Sequence, residues 1–419
     1  MSINSEGENN GTELYRQKTS IPFFLIAVAL TALAQGLSES VYGNFYKEVY
    51  DVTATQRGFI EFPRELPGIL AVFLISLMSF MGEIRLAIFA QVLIVVGLVL
   101  LGVVTPPFSV MLIFLFVNSV GTHLNMPLKD SIGLNIIGAE NTGHKLGIVN
   151  GMRTGMGFVA GLIVVLGFRS GIFSFTNKII HIFLIAAAAY ICVMFFMLKI
   201  RKIIGDPVIT TGKGRFLFRK EYKSYYILAM LQGAHRQISL VFGPWVLIDI
   251  LLRQADSIAM LTMIGSFLGI FFMPMIGKMT DRFGVKRMLT IEGVLFITVY
   301  LLFGFASAGL VSGNLAKTGL PILVFYALFV IDKMAMQLQM LKTLYLRSVA
   351  LDMSEISPAL STGMAMDHAI SIICAFLGGL ARTAWGPHVA FFIAAALSLG
   401  NIIVAVSLPK TQLGTGRTV

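Results

Sequence analysis

The 419-residue chain is 56% hydrophobic and only 13% charged, where a soluble globular protein carries roughly 25% charged residues. That balance excludes a soluble domain and marks a polytopic membrane protein. The formal net charge of +11 therefore reads as an orientation signal concentrated in alternate loops and gives no reason to expect a nucleic-acid partner.

The first twenty residues are polar and lack a cleavable signal pattern, so the first membrane helix is expected to serve as the insertion signal. Spans of about 20 apolar residues are needed to cross a bilayer. On that criterion twelve helices are predicted, near 20–46, 54–80, 85–104, 108–136, 145–168, 179–200, 223–249, 257–277, 285–308, 320–347, 356–382 and 387–408. The connection after the sixth helix carries Lys199, Arg201, Lys202, Lys213, Arg215, Arg219, Lys220 and Lys223. It is the most basic connection and is assigned to the cytoplasm, which puts both termini there in the plasma (inner) membrane. The expected organisation is a cytoplasmic tail 1–19, a six-helix bundle 20–200, a basic linker 201–222, a second bundle 223–408 and a tail 409–419.

Ionisable groups inside apolar helices cost about 2.5–3.5 kcal/mol or more, so each is a functional candidate. The first helix holds Glu39, and the second holds Glu61, Arg64 and Glu65 between Pro63 and Pro67. Three- and four-residue spacing puts Glu61, Arg64 and Glu65 on one face, and the prolines break the local ladder. Glu39, Glu61 and Glu65 are candidate proton-coupling carboxylates with Arg64 as a gating partner; the other reading is an ion-pair lock near the outer end of the helix. His123 in the fourth helix titrates near neutrality and suits a substrate or proton role, or a helix–helix hydrogen bond. Arg153 in the fifth lies near the cytoplasmic end, either as a gate residue or snorkelling to the interface. His235 and Arg236 adjoin in the seventh helix, where an Arg fork suits a carboxylate-bearing solute and could instead pair with Glu39, Asp332 or Asp367. In the tenth, Lys333 and Gln337 lie one turn apart and suit solute hydrogen bonding. Asp367 and His368 in the eleventh are further protonatable candidates. Lys129, Asp130, Lys342 and Arg347 are expected at cytoplasmic helix ends as interface anchors and intracellular gate ties, not as binding residues. Cys192 and Cys374 read as small packing residues, and no residue set points to a metal.

Between the eighth and ninth helices stands Gly277-Lys278-Met279-Thr280-Asp281-Arg282-Phe283-Gly284-Val285-Lys286-Arg287, a G-x-x-x-D-R-x-G-x-K-R run. It resembles the cytoplasmic loop signature of the major facilitator superfamily. The corresponding Ser79–Arg85 stretch of the first half keeps a glycine, an acid and an Arg but loses the D-R-x-G spacing. Weak internal similarity at offsets of 214 and 212 pairs 122–126 with 336–340 and 150–152 with 362–364. The resemblance implies an all-α fold of twelve transmembrane helices in two six-helix bundles. It also implies a pathway lined by the first, fourth, seventh and tenth helices, which makes His123, His235, Arg236, Lys333 and Gln337 candidate solute contacts. Gly277, Asp281, Arg282, Gly284, Lys286 and Arg287, with Arg64 and Arg153, become candidate gating residues.

The implied activity is secondary active transport by alternating access, proton-coupled in form, of a small polar or anionic solute; the alternative is export of amphipathic drugs or lipids. Subfamily marks of drug antiporters, sugar porters and peptide porters are missing. No nucleophile elbow, phosphate loop or metal-ligand cluster points to an enzyme. The expected partners are the solute and the lipid bilayer, with no cofactor beyond an ion gradient, and the chain is expected to be monomeric.

Overall fold

A computed structural model of the chain describes residues 3–51, 54–138, 140–174, 179–209, 217–251, 253 and 255–408. The Glu61 side chain, Lys213 and Arg215 of the linker, and the 409–419 tail lie outside the described residues. Every regular element among those described is helical. In chain order they are α1 (Ile3–Tyr50), α2 (Ala54–Leu77), α3 (Glu83–Val103), α4 (Phe108–Ile137), α5 (Thr142–Arg169), α6 (Ile179–Ile204), α7 (Lys223–Gln237), α8 (Gly243–Trp245), α9 (Ala255–Phe283), α10 (Val285–Val311), α11 (Leu320–Met336), α12 (Met340–Val349), α13 (Ile356–Trp385) and α14 (Pro387–Ser407).

These make twelve helical runs. α7 continues through a π-helical stretch, Ile238–Phe242, into α8 and a second one, Val246–Ile250; α11 passes through a tight turn, Gln337–Gln339, into α12. Ten helices among the described residues are long and apolar enough to cross a membrane. The two runs that fall short are α2, which carries Arg57, Glu61, Arg64 and Glu65, and the 223–250 run, which carries Lys223, His235 and Arg236.

The predicted loop over 277–287 is a correction in detail. α9 runs on to Phe283, and a single residue, Gly284, separates it from α10. Gly284 has φ +80°, a left-handed conformation open mainly to glycine. Gly82, ahead of α3, has φ +76° and the same N-cap geometry.

The chain divides into two compact units. The first comprises Met1–Glu140, Met152–Leu217 and Leu351–Ser361; the second comprises Asn141–Gly151, Phe218–Ala350 and Thr362–Val419. α5 is thus divided after Gly151 and α13 after Ser361. In the first unit α1 packs on α6, α3 on α4 and α6, and α2 on α4, around Phe45, Tyr46, Phe183 and Tyr190. In the second, α10 packs on α14 and α11, α9 on α11, and α7 on α14, around Phe296, Tyr300, Phe303, Phe325, Phe329 and Phe391. Lipid is as apolar as these side chains, so close packing rather than exclusion of water holds such helices together. The α3–α4 crossing illustrates it: a Cβ at Gly121 would stand 2.4 Å from the Ala90 carbonyl oxygen.

Candidate functional site

In the first unit, the polar residues of α1, α2 and α4 are positioned by local bonds. Glu39 is exposed and accepts a hydrogen bond from Gln35 Nε2 at 2.7 Å, one turn earlier. Both prolines of α2 are kept within the helix. The Arg64 carbonyl accepts from the Ser119 hydroxyl of α4. Ser119 also lies 3.1 Å from Nδ1 of His123, which is buried. A Glu65 carboxylate oxygen and a His123 ring nitrogen lie within 4.8 Å of each other. Glu65 and His123 therefore meet across the α2–α4 interface, an acid and a titratable ring in one place, beside the Arg64 backbone carbonyl. Arg153 pairs with Asp130 of α4 at 3.1 Å. Lys129 departs from the expected interface anchor: it lines a small cavity with Thr31, Gln91 and Asn125 inside the bundle.

The second unit separates the adjacent pair in α7, because successive helical residues point about 100° apart. His235 is fully buried, stacks on Phe296 with ring centroids 4.5 Å apart, and its Nε2 lies 2.9 Å from the Ser398 hydroxyl. That places it in the core between α7, α10 and α14. Arg236 turns the other way. Its guanidinium pairs with Asp367 Oδ2 at 2.9 Å and reaches His368 Nδ1 at 3.3 Å, with both side chains of the ion pair partly exposed. Gly233 makes the meeting possible: a Cβ there would stand 2.2 Å from the Asp367 carbonyl oxygen, so α7 and α13 approach backbone to backbone.

Lys333 donates from Nζ to the Ser239 carbonyl at 2.8 Å and lies 3.1 Å from the Ser239 hydroxyl, with the Phe329 ring centroid 5.0 Å away. Its neighbour Asp332 is buried beside the hydroxyls of Ser239 and Tyr300. Gln337 lies against α9, where a Cβ at Gly269 would fall 2.4 Å from its Oε1.

Lys342 is a second correction. Instead of anchoring a helix end at an interface, it is buried in the second unit and donates to Glu292 Oε1 at 2.9 Å and to Gln232 Oε1 at 2.7 Å. Glu292 went unremarked in the sequence because it stands only seven residues into α10, close to the basic run. Its signal was there: an acid seven residues into α10 and a base seven residues before the end of α12, at similar depth from neighbouring helix ends, have matching charges to bury.

The signature run works through backbone contacts. Asp281 accepts from the Gly143 and His144 amides at 2.8 and 2.7 Å, so its carboxylate closes the first turn of α5, where unpaired N–H groups and the helix dipole favour a negative charge. A Cβ at Gly277 would lie 2.2 Å from the Gly143 carbonyl oxygen. Lys286 donates to the Val406 carbonyl at 2.7 Å and to that of Leu408, closing the end of α14. Arg282 and Arg287 both stand over the Phe283 ring, at 5.3 and 5.8 Å. The first unit does the same work with a residue the sequence did not single out. Asp206, just past α6, accepts from the Ile84 amide at 2.9 Å and pairs with Arg85 and Arg201 at 2.6 and 3.2 Å. It caps α3 where the first-half loop lacks the D-R-x-G acid.

No protein-family profile and no curated protein matches the chain by sequence. Solved structures resemble it over nearly its full length. A bacterial homologue of the iron transporter ferroportin, in an outward-facing state, is 13% identical with a TM-score of 0.72, covering 92% of this chain and 98% of that one. FucP, described as a major facilitator superfamily transporter and crystallised in the outward conformation, is 14% identical with a TM-score of 0.69, covering 93% and 99%. The chain has the major facilitator fold. The human organic anion transporter MFSD10 (TETRAN) shares it at 8% identity and a TM-score of 0.66, covering 93% and 99%. At these identities the likeness carries the multi-pass helical architecture, and the chemistry must come from the residues.

Proposed function

We propose that the chain is a secondary active transporter that moves a small polar or anionic solute by alternating access, driven by protons. The observation that supports this most is the partly exposed Arg236–Asp367 pair with His368 on the same guanidinium, held in a major facilitator fold. A guanidinium offers a planar fork that matches a carboxylate or phosphate. Asp367 pairs with that fork, and an anionic solute competes with it. A proton on Asp367 neutralises the competitor and frees Arg236, so proton uptake and anion binding favour one another. His368 is a second acceptor for that proton. Glu39 and Glu65, with His123, are proposed as the proton-responsive groups of the first unit.

The E. coli fucose:proton symporter, 16% identical over 92% of this chain, is named for a proton-coupled solute, and MFSD10 for organic anions; both names are in keeping with the reading. Asp281, Lys286 and the flanking glycines are proposed to govern the switch between states by holding or releasing helix ends. The proposal includes a monomer in the plasma (inner) membrane, both termini in the cytoplasm, bundles over 20–200 and 223–408, and an ion gradient in place of a cofactor.

The test is a thermal-shift screen of organic anions, sugars, amino acids, nucleosides and amphipathic drugs, followed by uptake into proteoliposomes. Stabilisation by anionic solutes, lost in Arg236→Ala, is expected. Asp367→Asn is expected to abolish proton-driven accumulation and leave solute exchange intact. Accumulation that persists in Asp367→Asn refutes the coupling role, and stabilisation by hydrophobic compounds alone points to an exporter of amphipathic drugs or lipids.

A further inference from the structure

Pro244 leaves a mark on the helix before it. In a π-helical stretch each carbonyl accepts from the amide five residues ahead. The Gly243 amide accordingly goes to the Ile238 carbonyl. The next bond in register would join the Ser239 carbonyl to residue 244, and a proline there has no N–H to give. The orphaned carbonyl is taken by a side chain instead: Lys333 Nζ, at 2.8 Å, with the Ser239 hydroxyl 3.1 Å from the same nitrogen. Asp332 stands beside this arrangement. It is 2% exposed, the Ser239 and Tyr300 hydroxyls are its neighbours, and its Oδ1 has no hydrogen-bond partner.

At one ammonium group the fold has gathered a freed backbone carbonyl and a hydroxyl, with a buried carboxylate close by on the far side of that hydroxyl. All are oxygen donors of the kind that hold hard monovalent ions at broken membrane helices. We propose that Ser239 O, Ser239 Oγ and the Asp332 carboxylate form a monovalent-cation site whose resident cation is the tethered ammonium of Lys333. Charge decides the valence. The site carries one carboxylate, so one positive charge neutralises it, and the lysine supplies that charge. Among the described residues around it, α10 presents the Tyr300 hydroxyl, α11 the Phe329 ring, and α9 the backbone at Gly265, where a Cβ would lie 3.2 Å from Lys333 Cβ. A free Na+ or K+ therefore has no place in the native chain and gains one when the lysine is cut back. This goes beyond the transport reading and holds whatever the solute.

The experiment compares the melting of purified wild type, Lys333→Ala and Lys333→Ala/Asp332→Asn in equal concentrations of sodium, potassium and choline chloride. The wild type is expected to melt at one temperature in all three salts. Lys333→Ala is expected to melt at least about 2 °C higher in Na+ or K+ than in choline, and the added Asp332→Asn change to erase that difference. A single variant indifferent to the cation overturns the proposal, as does a difference that survives Asp332→Asn or one equally present in the wild type. If Lys333→Ala folds in none of the salts the proposal also fails, because a fitting cation should replace the lost ammonium. Pro244→Ala in the same background then reports on the carbonyl alone, since it restores the missing N–H. Recovery by Pro244→Ala without any cation response leaves Lys333 as a backbone cap and overturns the cation site.

Discussion

The buried pair between Glu292 and Lys342 allows the most quantitative prediction. The two groups are 2.9 Å apart, with side chains 0% and 5% exposed. Lys342→Met strips the carboxylate of its ammonium partner while leaving it in the interior. Breaking a buried pair from one side costs about 3–5 kcal/mol, because the remaining charge is uncompensated. Replacing both partners with apolar residues of similar volume is close to neutral. The one loss that persists in Glu292→Met/Lys342→Met is the donor to Gln232 Oε1, worth about 1–2 kcal/mol. In a unit of this size each kcal/mol moves the melting temperature by about 2–4 °C. Lys342→Met should therefore lower it by about 6–20 °C and the double variant by about 2–8 °C. The assay is thermal unfolding in one detergent at fixed pH. A single variant within about 2 °C of wild type, or a double variant as damaged as the sum of the singles, refutes the reasoning.

Other consequences follow from named contacts. Asp281→Ala leaves the Gly143 and His144 amides without their acceptor and should destabilise by about 1–3 kcal/mol; Asp281→Asn keeps one acceptor and should cost less, an order that melting curves check directly. Gly233→Ala puts a methyl group 2.2 Å from the Asp367 carbonyl oxygen, and should force α7 from α13 and abolish solute-induced stabilisation along with lowering stability. Asp352, outside the membrane spans, accepts from the Ser354 hydroxyl at 2.6 Å and amide at 2.7 Å, which hold its carboxyl below the ordinary value of 3.8. A depressed folded value means its contribution is complete above the unfolded pKa and fades as pH falls through the folded one. Asp352→Asn should therefore shallow the loss of stability between about pH 5 and pH 3, as measured by melting across that range.

Much of the architecture was legible because a bilayer demands apolar runs of known length: twelve helical runs stand near the predicted positions, and ten of them among the described residues are long and apolar enough to cross. The signature run was legible as a motif, and its chemistry was not. Nothing in the spacing of Asp281 says that its partners are backbone amides 138 and 137 residues earlier. The pairing of Arg236 was among the alternatives the sequence left open, and Gly233 decides it by bringing α13 close. The rotation of about 100° per residue says from sequence that only one of His235 and Arg236 faces the cavity; which one is not legible there, and packing on Phe296 puts His235 in the aromatic core. Asp206 and Glu292 stood out least, since acids near basic loops look solvated. Each turned out to serve a helix end or a buried base. Pro244 was the only trace of the helix irregularity beside Lys333 in the sequence, and a proline alone does not say which carbonyl it frees or what takes it.

The most direct measurement is uptake of labelled organic anions into proteoliposomes with and without an imposed proton gradient, for wild type, Arg236→Ala and Asp367→Asn. The account predicts gradient-driven accumulation of an anionic solute by wild type, no transport by Arg236→Ala, and exchange without accumulation by Asp367→Asn. Transport indifferent to both substitutions, or confined to uncharged amphipathic compounds, would contradict it.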